Sequence, residues 1–314
     1  MNLTDEELDR LIELQQARLE LDEVKSASYW QERLIANEDR VCGIEMPWRM
    51  MQDRFELRPG ELSVWAGESG SGKSMLISQI MAWLLQGPTK VLIASLEMRP
   101  EETLRRMLTQ CAGNPNPTED WIRHWFAVMD QSLYLYNKLD TVEAERMINA
   151  TRAAADFLGV THVVIDSLTK CRLPTDGPGY LSAQTDFIDS LQWTAKNIGV
   201  HIHLIAHMRK PEGSRRAGEA SKFDIRGASQ ITDLADNVLL LTRNHQKEKA
   251  QAQSEAGDVL SAAENGYLSE PDSFLRIDKQ RYNGDQHTYG LWYNKRSLTF
   301  QSQEDKSIRW TQPW

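Results

Sequence analysis

Residues 61–85 have the sequence ELSVWAGESGSGKSMLISQIMAWLL. The run at 61–67 is mostly apolar and predicts a buried strand, and Lys73–Leu85 predicts a helix. Between them lies a match to the pattern G-x-x-x-x-G-K-[ST], in which backbone N–H groups surround phosphate groups. The pattern requires a strand before it and a helix after it, and both are predicted here. The matching residues are Gly67, Glu68, Ser69, Gly70, Ser71, Gly72, Lys73 and Ser74.

This loop predicts a site for a nucleotide such as ATP together with Mg²⁺. The Lys73 ammonium is expected to reach the β- and γ-phosphates, and the Ser74 hydroxyl is expected to ligate the metal. The N-terminus of the following helix adds positive potential for the phosphates. The alternative, a glycine-rich turn without a ligand, is disfavoured by the order of strand, loop and helix.

The chain around this loop alternates short apolar runs with helix-length segments up to about residue 242. This alternation predicts an α/β fold, with a P-loop NTPase core built on a doubly wound, mostly parallel sheet covered by helices on both faces. The end of the chain changes to short runs around an Asn283-Gly284 turn and predicts an antiparallel β extension. The predicted strands are 61–67, 91–97, 133–136, 160–166, 200–207, 237–242, 274–281, 287–294 and 297–301, and the predicted helices are 73–85, 100–112, 121–129, 141–158 and 183–197.

Two segments interrupt this alternation. Residues 4–25 begin with the capping pattern Thr4-Asp5-Glu6-Glu7 and predict an amphipathic helix, which either folds onto its own domain or docks on a neighbouring subunit. Residues 246–272 have few large apolar side chains and predict a surface insertion that is mobile or weakly helical. The expected organisation is a helical arm and linker at 1–43, the nucleotide-binding domain at 44–302 and a tail at 303–314.

Composition limits the classes of function. The formal net charge of the 314 residues is −9, which argues against a protein that coats nucleic acid through its overall charge. Residues 207–226 nevertheless carry six bases against three acids, so a basic loop lies within an acidic chain. Three scattered cysteines and an acidic N-terminus predict a cytoplasmic protein without a disulfide framework, and no apolar stretch is long enough to span a membrane.

Three side chains at predicted strand ends are candidates for catalysis. Asp166 ends its strand and is expected to hold Mg²⁺, the alternative being a carboxylate that caps a loop. Glu97 ends the strand after the P-loop helix and could orient the attacking water, for which Glu101 and Glu102 on the next helix are less suited. His207 could hydrogen-bond the γ-phosphate or could be an ordinary, partly buried histidine.

Four segments resemble a known family when they are taken in order. They are SLEMRPEE at 95–102, IAHMRKP at 205–211, DIRGASQITDLADNVLLLTRN at 224–244, and KQRYNGDQ at 279–286 together with WYNKRSLTF at 292–300. The chain resembles the helicase domain of the hexameric, RecA-like replicative DNA helicases of the DnaB family. Within that family it is most similar to the phage primase-helicases and the mitochondrial replicative helicase.

The resemblance implies roles in handling the nucleotide. Glu97 would be the catalytic base and His207 the sensor of the γ-phosphate. Arg281 would be an arginine finger with Lys279 as its companion, both acting on the nucleotide of the adjacent subunit. This agrees with the position of Arg281 just before the Asn283-Gly284 turn. Arg243 and Tyr293 would clasp the adenine by stacking and cation–π contact.

The resemblance also implies contacts to single-stranded DNA. Arg209, the adjacent Lys210 and Arg226 would lie on one channel loop, and Lys170 and Arg172 would lie where the other should be. The alternative for each basic residue is a solvated surface charge, and we favour that interpretation for Arg215 and Arg216.

As a whole, the resemblance implies an Mg²⁺- and ATP-dependent helicase that forms a homohexameric ring around single-stranded DNA. No primase region precedes the matching segment in this sequence, so a separate primase is expected, with a polymerase or loader as a further partner. A RecA-type recombinase or mediator and a loader ATPase that does not unwind DNA are the alternatives.

Overall fold

The glycine-rich loop joins a buried strand to a helix in the computed structural model of this chain, which describes residues 24–36, 42–173, 179–209, 219–227 and 230–303. The strand before the loop is buried along its whole length, as expected for a strand covered on both sides. The strands of the described residues, in chain order, are β1 (Ile44–Glu45), β2 (Glu56–Leu57), β3 (Leu62–Gly67, the strand before the loop), β4 (Val91–Ser95), β5 (Leu133–Leu135), β6 (Val142–Glu143), β7 (His162–Asp166), β8 (Cys171–Arg172), β9 (His201–His207), β10 (Asn237–Arg243), β11 (Ser273–Gln280), β12 (His287–Asn294) and β13 (Thr299–Gln301).

Nine of these strands form one sheet in the order β13-β12-β11-β10-β3-β9-β7-β4-β5. The six from β10 to β5 are parallel, and β11, β12 and β13 are added antiparallel at the β10 edge. The predicted fold, a mostly parallel sheet with a C-terminal antiparallel extension, is therefore confirmed. Two short ladders, β1 with β2 and β6 with β8, lie outside this sheet.

Helices cover both faces of the sheet. The helices are α1 (Gln31–Ile35), α2 (Lys73–Leu84), α3 (Pro100–Ala112), α4 (Glu119–Met129), α5 (Ala144–Leu158), α6 (Tyr180–Ile198), α7 (Gln230–Leu234), α8 (His245–Glu255) and α9 (Ala262–Ser269). Apolar residues of α5, α6 and α7 share one buried cluster, whereas those of α2, α3 and α4 share another with the opposite side of the strands. None of the described helices combines the length and apolar character needed to cross a membrane.

The last strand returns the chain to the P-loop helix. Gln79, on α2, donates to the carbonyl of Phe300 at 2.9 Å and accepts from its N–H at 2.7 Å. The Trp48 indole donates to the same carbonyl at 2.9 Å. These buried bonds hold β13 against α2 and bring the aromatic ring of Phe300 next to the glycine-rich loop.

The segment 246–272 differs from the expectation of a mobile or weakly helical insertion. It contains most of α8 and all of α9, which pack against each other. Polar caps explain the difference, because Asn244 accepts from Lys247 N at 3.1 Å and Ser261 forms a capping box with Glu264. Local hydrogen bonds at the helix ends thus provide order that a search for apolar periodicity does not detect.

The chain divides into two units at Cys42 and Gly43. In the first unit, the described residues form a 3₁₀ turn at Ala27–Trp30 that continues into α1. The predicted helix at 4–25 lies outside the described residues except for its last two positions, as does the tail after residue 303.

Candidate nucleotide site at one edge of the sheet

Four predicted site residues meet where neighbouring parallel strands end. Gly67 pairs with His207 across β3 and β9, and Asp166 pairs with Ser95 across β7 and β4. Glu97 follows Ser95 by two residues. Because all four strands run in the same direction, their carboxyl ends form one edge, which is where doubly wound sheets bind ligands.

The loop after β3 is shaped by glycine. Gly70 and Gly72 have φ of +77° and +93°, a region that residues with side chains rarely adopt. A Cβ on Gly67 would lie 2.4 Å from the carbonyl oxygen of Leu241, and one on Gly72 would lie 3.0 Å from the Phe300 ring. Both the conformation and the close packing of the loop therefore require these glycines.

Lys73 lies inside this loop. Its ammonium donates to the carbonyls of Gly67 at 3.0 Å and Glu68 at 2.8 Å. Burial lowers the pKa of Lys73, and the carboxylates of Asp166, Glu97 and Glu68 oppose that shift. The loop therefore holds a buried cation at the point where phosphates would replace backbone carbonyls as its partners.

The donors around Lys73 suit a triphosphate with a divalent metal. Burial raises the pKa of Asp166, and the neighbouring Ser74 hydroxyl opposes that shift. The Ser71 hydroxyl is buried and has no partner in the described part of the chain. A carboxylate, an adjacent hydroxyl and an unpartnered hydroxyl are oxygen ligands and donors of the kind that Mg²⁺ and phosphate prefer. Ser74 and Asp166 would hold the metal, and Ser71 and Lys73 would bind phosphate.

Glu97 is directed into the same edge. Its Oε1 accepts from the Ser167 hydroxyl at 2.8 Å and lies 3.9 Å from Nε2 of His207. The Glu97 side chain is 41% exposed, so water can reach it. Burial lowers the pKa of His207, Lys73 lowers it further, and Glu97 opposes both effects. The His207 Nδ1 atom is buried and has no partner among the described residues.

A cavity of about 670 Å³ adjoins the glycine-rich loop, and Arg243 and Tyr293 both line it. Arg243 donates to Glu248 at 2.6 Å and to the Gly70 carbonyl at 3.3 Å. The ring of Tyr293 lies 5.2 Å from that of Phe300 between centroids. The volume and the aromatic wall suit the base and ribose of a nucleotide whose phosphates occupy the loop.

Lys279 and Arg281 lie at the opposite edge of the sheet. Gln280, between them, pairs with Asn237 at the start of β10, and Asn237 pairs with Ser63 near the start of β3. Ser63 lies four residues before Gly67 on β3, or about 13 Å along the strand at the usual rise per residue. Neither cation is therefore close to the P-loop of its own chain.

Both cations bind the end of α7. The Lys279 ammonium donates to the carbonyls of Thr232 and Asp233 at 2.8 and 2.7 Å, and the Arg281 guanidinium donates to the Asp233 carbonyl at 3.1 Å. Arg281 also pairs with the buried carboxylate of Asp236 at 3.0 Å. Burial lowers the pKa of Lys279, with Arg281 as the second cause.

The predicted DNA contacts lie on two segments. Arg209 N donates to Asp224 O at 2.8 Å and Arg226 N donates to His207 O at 2.9 Å, so both arginines belong to one short ribbon that continues β9. Their side chains are exposed. On the other segment, Arg172 pairs with Glu143 at 2.9 Å and Lys170 lies 3.9 Å from Asp140. Lys210, Arg215 and Arg216 lie outside the described residues.

Sequence reasoning missed Arg106, on α3. It lines a small cavity together with Ser74 and Asp166, and its guanidinium lies 3.1 Å from the sulfur of Met98. Burial lowers the pKa of Arg106, and Asp166 opposes the shift. One signal in the sequence could have identified Arg106. It lies on the same helix face as the buried residues Thr103, Met107 and Gln110, and a charged residue on a buried face often has a functional role.

Comparison with known proteins agrees with this architecture. The model of the AAA domain family matches residues 47–213, which is more than half of the chain. A solved DnaB-like replicative helicase, studied with its interactions with primase, has a TM-score of 0.66 and 16% identity and covers 91% of this chain and 70% of its own. A solved ATPase domain of a second protein has a TM-score of 0.65 and 16% identity and covers 88% of this chain and 99% of its own.

At this level of identity the two structures establish the fold. The RecA-like core that the sequence resemblance implied is confirmed. As many as 705 solved chains match this one, and a shared fold does not identify a single activity. The function therefore has to be argued from the arrangement of the site.

Proposed function

This chain belongs to the AAA domain family, and we propose that it is an Mg²⁺-dependent ATPase that acts as a replicative DNA helicase. The observation that carries the proposal is the meeting of Lys73, Asp166, Glu97 and His207 at one sheet edge, with Arg281 at the opposite edge. The first group forms half of a hydrolytic site, and the second offers a cation to a neighbour.

The chemistry at the first edge would be phosphoanhydride hydrolysis. Bound Mg²⁺ would supply charge stabilisation for the transferred phosphoryl group. Glu97 would accept a proton from the attacking water, while the Ser167 hydroxyl, 2.8 Å away, orients its carboxylate. His207 would donate to the γ-phosphate, and its contact with Glu97 would link the state of the nucleotide to the base.

The second edge supports action between subunits. An arginine finger stabilises transition-state charge on a nucleotide that another subunit holds. Arg281 is distant from its own P-loop, and its side chain is 46% exposed, so a neighbour could present a γ-phosphate to it. In a closed ring of six copies every nucleotide site would meet the Arg281 of a neighbour, because a head-to-tail contact whose rotation closes forms a ring.

DNA binding would use the ribbon that carries Arg209 and Arg226. The Arg226 N–H donates to the carbonyl of His207. A movement of His207 in response to the γ-phosphate would therefore be passed directly to Arg226. Phosphate contacts carry no sequence information, and we expect binding to single-stranded DNA of any sequence. Such a motor would work in the cytoplasm with a separate primase, polymerase or loader.

The decisive experiment is strand displacement on a forked DNA substrate, with ATP hydrolysis measured in parallel. The wild type should unwind the fork only with hydrolysable ATP and Mg²⁺, and Lys73→Ala should lose both activities by about 100-fold or more because the buried cation is gone. Lys249→Ala, which removes an exposed lysine, is the matched control.

The alternatives give different results in the same experiment. DNA-stimulated hydrolysis without unwinding would indicate a loader ATPase. Strand pairing on open filaments, seen by electron microscopy with a non-hydrolysable analogue, would indicate a recombinase. Absence of hydrolysis in the wild type would contradict the ATPase assignment itself.

A further inference from the structure

The helices of the insertion form a wall of the cavity beside the glycine-rich loop. Of the residues that line this cavity, α8 contributes Lys247, Glu248, Gln251, Ser254 and Glu255, and α9 contributes Leu268. The α8 residues recur at intervals of three and four, so they lie on one face of the helix. This face is polar throughout.

Apolar packing does not explain why α8 directs polar side chains into the cavity. The buried residues of α8 are Lys247 and Ala250, so the helix is not held by a broad apolar stripe. On this face Glu248 and Gln251 are half-buried, and burying a polar group costs free energy unless it gains hydrogen-bond partners. A polar ligand in the cavity would supply those partners.

The base of α8 is rigidly anchored. Asn244 is fully buried and donates to Glu270 at 2.8 Å and to the Pro271 carbonyl at 3.1 Å. Lys247 is 5% exposed and pairs with Asp272 at 2.8 Å. These buried bonds fix the direction of the helix, so its cavity face is preorganised.

The same helix contacts the glycine-rich loop. His245 lies 3.3 Å from the carboxylate of Glu68 and 3.1 Å from that of Glu248. Glu248 in turn accepts from Arg243, which donates to the Gly70 carbonyl. A nucleotide whose phosphates lie in the loop would therefore extend its base toward α8.

Gln251 supplies a free amide to this face. Lys247 and Glu248 are engaged by other side chains, whereas the Gln251 amide forms no hydrogen bond with another described residue. An amide offers one donor and one acceptor side by side. That pattern matches the N6 and N7 edge of adenine, whereas the corresponding edge of guanine presents two acceptors.

We propose that α8 reads the base of the bound nucleotide and that the Gln251 amide selects adenine over guanine. The inference rests on the proposed function, since it assumes that a nucleotide occupies the P-loop. It assigns to the insertion at 246–272 a role in substrate specificity, with Tyr293 stacking on the base and Gln251 pairing with its edge.

The test compares nucleotide selectivity in four proteins: the wild type, Gln251→Ala, Gln251→Arg and Gln246→Ala. Gln246 is on the same helix but is exposed and does not line the cavity, so it is the matched control. Equilibrium binding of fluorescent ATP and GTP is measured first, and then KM and kcat for hydrolysis of each.

Gln251→Ala should weaken ATP binding about tenfold and change GTP binding less than about twofold, with kcat for ATP retained. Gln251→Arg should shift the preference toward GTP, because arginine donates to both acceptors of guanine. Gln246→Ala should behave as the wild type.

An unchanged ratio of ATP to GTP affinity in both Gln251 variants would overturn the inference while leaving the ATPase proposal intact. Equal weakening of both nucleotides would also overturn it, since that result indicates a general effect on the cavity. If the wild type bound nucleotide without hydrolysing it, the proposed function would fail and the binding ratios would still decide the role of Gln251. A wild type that bound neither nucleotide would overturn both.

Discussion

The carboxylate of Glu97 differs from its neighbours Glu101 and Glu102 in its surroundings. It accepts from Ser167 and faces His207, whereas the other two are exposed in the first turn of α3. The sequence contains three glutamates within six residues, and residue type alone does not separate them. The hydrogen bond from Ser167 distinguishes Glu97 from the other two. Ser167 itself bonds Thr169 at 2.6 Å, so the hydroxyl that orients Glu97 is held in place.

Glu97→Gln should separate nucleotide binding from turnover. The amide keeps the size of the side chain and its bond to Ser167 but cannot accept a proton, so we expect ATP turnover to fall about 100-fold or more. The Kd for ATP should stay within about twofold. Single-turnover hydrolysis and equilibrium binding measure the two quantities, and Glu101→Gln is the control. A parallel loss of affinity would contradict the role of Glu97 as a base.

At the scale of secondary-structure elements, the end of β9 connects the proposed nucleotide site to the proposed DNA-binding ribbon. His207 closes the strand at the nucleotide edge, and the chain then pairs through Met208 and Ile225 to form the ribbon with Arg209 and Arg226. Ile225 and Met208 are buried, which anchors the ribbon, while the two arginines are exposed. A rigid base with exposed cations is suited to following a phosphate backbone.

Arg226→Ala and Arg209→Ala should each weaken binding of single-stranded DNA by a similar factor for all sequences. Each should also reduce the slope of log affinity against log salt by about 0.7, the value for one phosphate contact on a single strand. Fluorescence anisotropy across a salt series measures both effects. Arg123→Ala removes a 74% exposed arginine on α4 as the control. Slopes equal to that of the wild type would assign both residues to the solvated surface.

Lys279 and Arg281, at the end of β11, contact the same helix. Both donate hydrogen bonds to carbonyls at the C-terminal end of α7, where the helix dipole is negative. This helix follows the segment of Arg226 in the chain. Transfer of these cations to the nucleotide of a neighbour would remove partners from α7. The proposed finger thus contacts the helix that follows the proposed DNA segment in the chain.

Arg281→Ala and Glu97→Gln subunits, each nearly inactive alone, should recover part of the ATPase when they are mixed. Some interfaces then combine an intact Glu97 site with an intact finger from the neighbour. The matched control mixes Lys73→Ala with Glu97→Gln, in which every site lacks one residue of its own chain and no recovery is expected. Absence of recovery in the first mixture, with subunit exchange shown by a fluorescent label, would exclude action in trans.

At the scale of the whole molecule, three histidines lie within the core rather than at the site. His162, His201 and His203 are fully or almost fully buried, and His162 Nδ1 lies 3.1 Å from His203 Nε2. Burial lowers the pKa of His201 to about 4 and holds the pKa values of His162 and His203 well below their usual range. The Trp65 indole donates to His203 at 3.2 Å, which favours its neutral form.

The free energy of unfolding should therefore fall as the pH drops from about 6.5 toward 4. Between these values the unfolded chain binds protons that the folded core excludes, at up to about 1.4 kcal/mol per histidine and pH unit. Urea unfolding at pH 7.5, 6 and 5 measures this slope. His162→Gln should reduce the slope whatever its cost in stability, and His287→Gln, an exposed site, should not. An equal slope in both variants would contradict the assignment.

The sequence by itself determined the P-loop, the order of strands and helices, and the residues at the ends of the parallel strands. These depend on local patterns: glycines that permit positive φ, apolar runs, and the rule that parallel strands end at one edge. The helix boundaries at Pro100 and Ala112 agree with the prediction because a proline begins that helix and Gly113, with φ of +68°, ends it.

Only the tertiary structure decided which distant residues meet. The pairing of β10 with β11 puts Arg281 at the edge opposite the P-loop, and no local pattern encodes that register. The polar face of α8 becomes the wall of a cavity only because Asn244 and Lys247 are buried against the turn before β11, more than twenty residues further along the chain. The histidine cluster likewise unites two strands separated by a helix. Local free energies select helices and strands, whereas contacts between distant residues depend on the packing of the entire sheet.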